Sequence, residues 1–358
     1  MPADQARPVV AFAMGDAAGV GSELMARLLL DAEVMGAARF IVLGDIRVLE
    51  RGAEAAGVSL SVPVIAADAP IPEAESGAVF VDLGHLDPAD APFGKVGVAS
   101  GRFALENFRT ALLLGKAGRA DAVAFTPFNK AAMRLAHPSY EDEIGYTAEV
   151  LGFDGVAKEF NILEGLWNAR VTSHVPLKDV AALLTRKEIV GNLGLTADAL
   201  RSSGIASPRI AVAGLNPHAG DGGNFGREEI DVIGPAVEAA KAQGIVCDGP
   251  FPADTVFLRA RRGDFDAVLT MYHDQGQIAM KLIGFDRGVT LLGGFPFPIC
   301  TPAHGTAHDI AGTGKANTGA TRAALLLAAR MAAGVAAARA PGSRPADTVE
   351  AMRAARAA

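Results

Sequence analysis

Short apolar runs recur along this chain, each released into a polar, glycine-containing loop and then a longer helical pattern. Val9–Met14, Phe40–Leu43, Asp121–Phe125, Arg209–Ala213 and Ala267–Met271 read as buried strands, and residues 58–66 read as a further extended segment. Helical patterns lie between them, over residues 99–116, 227–243, 276–283 and 318–338. Ser22 is the expected N-cap of a helix starting near Glu23, and Asp45 that of the next. Strands alternating with helices predict an α/β fold of mostly parallel, doubly wound sheets with helices on both faces. A length of 358 residues suits two lobes. The expected division puts residues 1–120 and 300–358 in lobe one and residues 121–299 in lobe two.

Composition narrows the classes. Half of the residues are hydrophobic and only 6% aromatic, which suits a large core of closely packed, alanine-rich helices. A formal charge of −7 speaks against a nucleic-acid partner. Two cysteines, Cys247 and Cys300, make no disulfide framework, so a reduced, cytoplasmic setting is expected. The N-terminus lacks the pattern of a signal peptide. The apolar run 323–338 is broken by Arg330 and reads as a packing helix, so no membrane association is expected. The last segment, PGSRPADTVEAMRAARAA, starts with turn formers and reads as ending in a small basic helix.

In a parallel sheet the loops that leave the strands carry the chemistry. Polar clusters fall there: residues 15–23, 126–130, 215–223 and 272–276. His174, His218 and His273 each sit in or beside such a loop. Three imidazoles with an open fourth position would make a catalytic divalent-metal site, and loop histidines bonded to backbone fit the same spacing. The glycines at 15, 19 and 21 do not form GxGxxG, and residues 311–315 lack the length of a P-loop. The glycine loop 220–226 fits a plain turn. The segment 304–317 is rich in small residues, and Asp309 and Asn317 could contact a ribose or an adenine; a tight loop capping the next helix fits equally.

Taken together, GDAAGVGSEL, TPFNK, SHVPLKDV, GLNPHAGDGGNFGREEID, DGPFPADTVF, YHDQGQIAMK and HGTAHDIAGTGKAN resemble the 4-hydroxythreonine-4-phosphate dehydrogenase family, from about residue 13 to residue 321. The resemblance implies an isocitrate/isopropylmalate dehydrogenase-like fold of two lobes with a cleft, and a homodimer with active sites at the subunit interface. It implies a divalent metal (zinc, magnesium or cobalt) on His174, His218 and His273. It also implies a cofactor loop, with NAD held by His304, Gly305, Thr306, Asp309, Gly312 and Asn317.

The substrate positions depart from the family pattern. Tyr146 stands where the family has histidine, Thr290 where it has asparagine and Ile299 where it has arginine; Thr147 and Lys281 are kept. Losing an arginine fork weakens phosphate recognition. The expected reaction is therefore NAD- and metal-dependent oxidation of a secondary alcohol in a small hydroxy acid other than 4-hydroxythreonine 4-phosphate itself, with decarboxylation. Cis-dihydrodiol dicarboxylates, phosphorylated sugar acids and a ligand-binding relative without catalysis are the alternatives. Lys281 and Asp274 are the expected catalytic groups, with Lys130 a further substrate contact and Asp254 a supporting acid.

Overall fold

The computed structural model describes residues 7–72, 77–338 and residue 349. The expected C-terminal basic helix lies outside the described residues. The chain divides into two units, Met1–Ala157 with Phe295–Ala358, and Lys158–Gly294.

In chain order the first unit contributes β1 (Val9–Ala13), β2 (Arg39–Gly44), β3 (Val64–Ala66), β4 (Gly77–Asp82) and β5 (Ala122–Phe125). The second contributes β6 (Lys158–Leu163), β7 (Leu166–Arg170), β8 (Ile210–Ala213), β9 (Cys247–Phe251), β10 (Ala267–Thr270) and β11 (Val289–Gly293). The chain then returns to the first unit for β12 (Ile299–Pro302).

The strand order in the first unit is β3-β4-β2-β1-β5-β12, and every pair is parallel. β1 and β5 are buried at every residue, as strands covered on both faces must be. The helix Gly319–Ala337 is the one described helix long and apolar enough to cross a membrane. It packs against β12, β5 and β1, and Ala320, Ala324, Leu325 and Ala328 are buried there, so it is a core helix, as its alanine content suggested.

The second unit runs β11-β6-β7-β10-β8-β9. β11, β6 and β7 pair antiparallel, while β7, β10, β8 and β9 pair parallel. β10 lies between β7 and β8, so the C-terminal ends of three neighbouring strands open on one edge.

Several details differ from the sequence reading. The chain leaves the first unit after residue 157 rather than 120 and returns at 295 rather than 300. β5 pairs with β1, and the helices Lys130–Ala136 and Glu143–Leu151 pack on the long helix Val98–Lys116, which holds residues 121–157 in the first unit. Ser22 is not a cap: the helix is Gly21–Leu28, its N-cap is Val20, and Ser22 is fully buried. Of the extended segment 58–66 only Val64–Ala66 is a strand. Asp45 does cap its helix, accepting from the Arg47 backbone N–H.

Candidate active site

In the first unit the connection from β1 runs toward β2 and that from β5 runs to the other side, so their loops diverge. A crevice at such a switch point is where ligands bind in open α/β sheets. The two loops touch there: Gly15 N–H donates to Thr126 Oγ1 (2.8 Å) and Asp16 N–H to Pro127 O (3.0 Å). A Cβ on Gly15 would lie 2.2 Å from Thr126 O, so only glycine permits the approach.

The 304–317 segment lies on the same loop. Val20 N–H donates to Thr306 O (3.0 Å), and a Cβ on Gly19 would lie 2.8 Å from that oxygen. Glu23, fully buried, accepts from Gly312 N–H and keeps Oε2 without a partner. Gly312 has φ +79, and a Cβ there would enter the Phe93 ring at 2.5 Å. Val20, Leu24 and Ala316 form a small apolar cluster beneath Ala307, Ile310 and Ala311. Arg51 donates to Ala17 O (2.7 Å) and stacks over Phe93 at 4.3 Å; burial pulls its pKa down.

His304 Nδ1 lies 2.9 Å from Gly305 O, and its Nε2 is buried without a partner. That orphaned nitrogen, Glu23 Oε2 and the glycine approaches fit a segment built to receive a flat, polar cofactor. Asp309 and Gly305 are exposed. Asn317 Oδ1 accepts from Gly319 N–H (2.8 Å), so its oxygen serves the following helix.

Sequence reasoning missed three residues here. Asp16, 1% exposed, accepts from Ala18 N–H through Oδ1 and lies 2.7 Å from His308 Nε2 through Oδ2. The carboxylate has only acceptors, so it fixes the His308 tautomer with the proton on Nε2. Asn129 Oδ1 caps the next helix through Ala132 N–H, which turns Asn129 Nδ2 to 3.4 Å from the same Nε2, a donor facing a donor and not a bond.

The substrate positions of this unit are largely enclosed. Tyr146 is 8% exposed and donates to Leu105 O (3.3 Å) within a cluster of Phe108, His137 and Tyr140. Burial and Glu143 drive the Tyr140 phenol pKa far up, so it stays protonated. Thr147 is fully buried, with Oγ1 unpartnered. Lys130 pairs with Glu143 at 3.0 Å. Ile299 is fully buried in β12, opposite Val123.

In the second unit each of the three neighbouring parallel strands releases one histidine at the same edge: His174 after β7, His273 after β10 and His218 after β8. His174 and His218 are exposed and His273 half-buried. The His174 and His273 rings stand 5.8 Å apart. His273 Nδ1 is 2.7 Å from Asp274 Oδ1, which leaves Nε2 available; metal-binding histidines are commonly held this way. His273 opens the helix His273–Gly284, where an acid in the first turn is favoured by the helix dipole. Among the described residues no three His, Cys, Asp or Glu side chains converge to metal-ligand distance, so the structure brings two of the three predicted ligands together and leaves His218 apart. Imidazole is a donor type that suits a divalent cation. Lys281 and Asp274 lie on one stripe of the helix about 10 Å apart, and both are exposed. Asp254 is exposed in the first turn of the helix Ala253–Arg261, and Thr290 is 7% exposed in β11.

The histidine loops are braced to one another. Gln275 accepts from Met271 N–H (2.7 Å) and donates to Gly214 O (2.8 Å), tying the end of β10 to that of β8. Thr172 Oγ1 donates to Met271 O (2.8 Å), tying in β7. Arg170, buried between Glu159 and Asn161, donates to Ser173 Oγ (2.9 Å) beside His174.

The glycine loop is not a plain turn. His218 (φ 54), Ala219 (53), Gly220 (83), Asp221 (44), Gly222 (65) and Gly223 (103) are all left-handed. Each of the three non-glycine residues costs roughly 1–2 kcal/mol. Buried Glu229 offsets this by accepting from Leu215 N–H and Asn216 N–H (2.7 Å each) and from Asn216 Nδ2 (2.9 Å); hydrogen bonds to a charge contribute about 1.5–3 kcal/mol each. The bond from Asn216 also holds the Glu228 carboxyl below its ordinary pKa.

Comparison with known proteins places the chain in a family. The family model described as "Pyridoxal phosphate biosynthetic protein PdxA" matches residues 36–328. A Rhizobium meliloti protein named "Putative 4-hydroxythreonine-4-phosphate dehydrogenase 2" is 61% identical over 326 residues, 91% of this chain and 94% of that one. The crystal structure of a 4-hydroxythreonine-4-phosphate dehydrogenase from Burkholderia phymatum superposes with a TM-score of 0.76 at 34% identity, covering 91% of this chain and 99% of that one. A terephthalate 1,2-cis-dihydrodiol dehydrogenase from Burkholderia xenovorans gives a TM-score of 0.62 at 29% identity, covering 87% and 94%. With the matched fold and the matched length, the chain belongs to the PdxA family of dehydrogenases.

Proposed function

We propose that this dehydrogenase oxidises a secondary alcohol of a small hydroxy acid, with NAD as hydride acceptor and a divalent cation as Lewis acid. The observation that carries the reading is the edge of β7, β10 and β8, where three adjacent parallel strands each end in a histidine and the central one is already oriented by a carboxylate. His174 and His273 would hold the cation with His218, and the 304–317 segment would hold the cofactor. Bound there, the cation supplies electrostatic stabilisation of a developing negative oxygen, and the nicotinamide supplies the hydride acceptor.

The protein's own groups do the rest. The substrate carbon gives up a hydride, and the hydroxyl proton passes to a base; Lys281 and Asp274, exposed on one stripe of the histidine-bearing helix, are placed for that transfer. In a β-hydroxy acid the resulting β-keto acid then loses carbon dioxide. Asp274 fixes the His273 ring, and Gln275 and Thr172 keep the three loops in register. Ile299 offers no cation, and Lys130 is already paired with Glu143. Both features favour a substrate without phosphate, such as a cyclic diol acid of the kind named in the Burkholderia xenovorans relative.

A homodimer with active sites at the subunit interface belongs to the same reading. It is supported by Ile278, Leu282 and Phe285, a stripe 59%, 83% and 53% exposed that follows His273. The test is NADH formation across paired phosphorylated and non-phosphorylated hydroxy acids, 4-hydroxythreonine 4-phosphate included. Turnover confined to the non-phosphorylated members supports the substrate class; turnover confined to 4-hydroxythreonine 4-phosphate sinks it. NAD binding without turnover of any member sinks the catalytic reading.

A further inference from the structure

We propose that Glu229 is a positioning residue: its buried carboxylate is the template on which the left-handed turn carrying His218 is wound. This rests on the reading of His218 as a metal ligand. Glu229 touches neither metal nor substrate in this account; it acts through the backbone.

The loop is arranged around that carboxylate. Oε1 accepts from Leu215 N–H and Asn216 N–H, and Oε2 from Asn216 Nδ2. Glycines clear the space. A Cβ on Gly214 would lie 3.1 Å from Oε1 and one on Gly220 2.7 Å from Oε2, while one on Gly226 would lie 2.4 Å from Asn216 Nδ2. Glu229 is the first residue of a π-helical turn, Glu229–Ile233, a local distortion of the kind frequent at functional sites. His218, Ala219 and Asp221 hold a backbone conformation that L-residues avoid, and three part-buried bonds to the Glu229 carboxylate hold the entry to that turn.

Only an acceptor on both atoms satisfies the three donors. In Glu229→Gln the amide NH₂ must face either the two backbone N–H groups or Asn216 Nδ2. Turning Asn216 over to relieve the second case sets its oxygen against the Glu228 carboxylate, which now accepts from Nδ2 at 2.7 Å. Each arrangement leaves a mismatched pair, so the turn loses its fixed geometry and His218 its aim.

The experiment uses the full chain with Zn²⁺ as the probe. Isothermal titration compares wild type, Glu229→Gln and His218→Ala, and amide hydrogen exchange follows Leu215 and Asn216. The expected result is zinc affinity about 10- to 100-fold weaker in Glu229→Gln, the range seen when groups orienting metal ligands are removed. Exchange should be faster at both amides. Ala219→Gly, added to Glu229→Gln, lowers the backbone cost of the left-handed turn and should recover part of the affinity. Wild-type affinity in Glu229→Gln overturns the proposal. If wild type takes up no zinc through His218, the metal reading fails instead; unchanged exchange at Leu215 and Asn216 then overturns the role of Glu229, and faster exchange supports it. Should Glu229→Gln lose its cooperative unfolding transition, Asn216→Ala carries the same test with one side-chain donor removed, and wild-type zinc affinity there overturns the proposal.

Discussion

The two sheet edges use one topological device for opposite ends. In the first unit the loops leaving β1 and β5 are closed by backbone contacts, and the acids Asp16 and Glu23 are buried acceptors for N–H groups. In the second unit the loops leaving β7, β10 and β8 carry imidazoles toward solvent, braced from behind by Gln275, Thr172 and the buried Glu229. Parallel strands fix where a site can be; the loop residues decide whether it receives an extended cofactor against backbone or a cation on side chains.

Substitutions that strike one edge and spare the other separate these roles. The largest effect is expected at His273→Ala, which should lower kcat by roughly 10²- to 10³-fold or more, as loss of a group stabilising developing charge does, while NAD binding and thermal stability stay near wild type. NADH formation, NAD titration and a melting curve check it, and near-normal turnover would break the assignment. Gly19→Ala should act on the other edge alone. Its Cβ would meet Thr306 at 2.8 Å and push the 304–317 segment away, lowering kcat/KM by up to about 100-fold. Zinc affinity should be unchanged, and a parallel loss of zinc binding would show that the edges are not separable in this way.

His308→Gln should give a smaller effect, a few-fold rise in KM for NAD at unchanged kcat, because it weakens one link between the cofactor segment and Asp16. A fall in kcat with KM unchanged would instead give this imidazole a part in the chemistry. The smallest effect concerns stability. The Asp45 carboxyl is buried, which raises its pKa, but bonds from Arg47 and from Leu86 N–H outweigh that and hold it below 3.8. A depressed folded-state pKa gives stability that is present above 3.8 and lost as pH falls through the folded value. Asp45→Ala should therefore cost about 1–2 kcal/mol at neutral pH and progressively less in acid, by urea unfolding; a constant difference across that range would contradict the assignment.

How much of this was legible in the sequence follows from the reach of each interaction. The histidines could be placed at strand ends because periodicity is local: β8 is an apolar run and β10 one that ends in Thr270, and His218 and His273 follow within a few residues. The alternation likewise marked both units but not their boundary, because β5 is assigned to the first unit by pairing with β1, 112 residues away. Asp16 and His308 are 292 residues apart, and nothing near either announces the pair. The left-handed turn was hidden for the same reason. GDGG is compatible with many turns, and the conformation adopted depends on Glu229, 13 residues beyond Asn216. Ser22 misled because its position suits a cap, yet the contact of Val20 with Thr306 starts the helix earlier. The substrate positions were legible only as departures from a family pattern, and the structure adds that Tyr146 and Ile299 are buried.

The central claim is that the histidine edge of the second unit binds a divalent cation required for oxidation. The most direct measurement is NADH formation by metal-stripped full-length protein on its best hydroxy-acid substrate, before and after addition of zinc, magnesium or cobalt, in wild type and His273→Ala. The account predicts no turnover when stripped, recovery with a divalent cation in wild type, and no recovery in His273→Ala. Full turnover by the rigorously stripped wild type would contradict it.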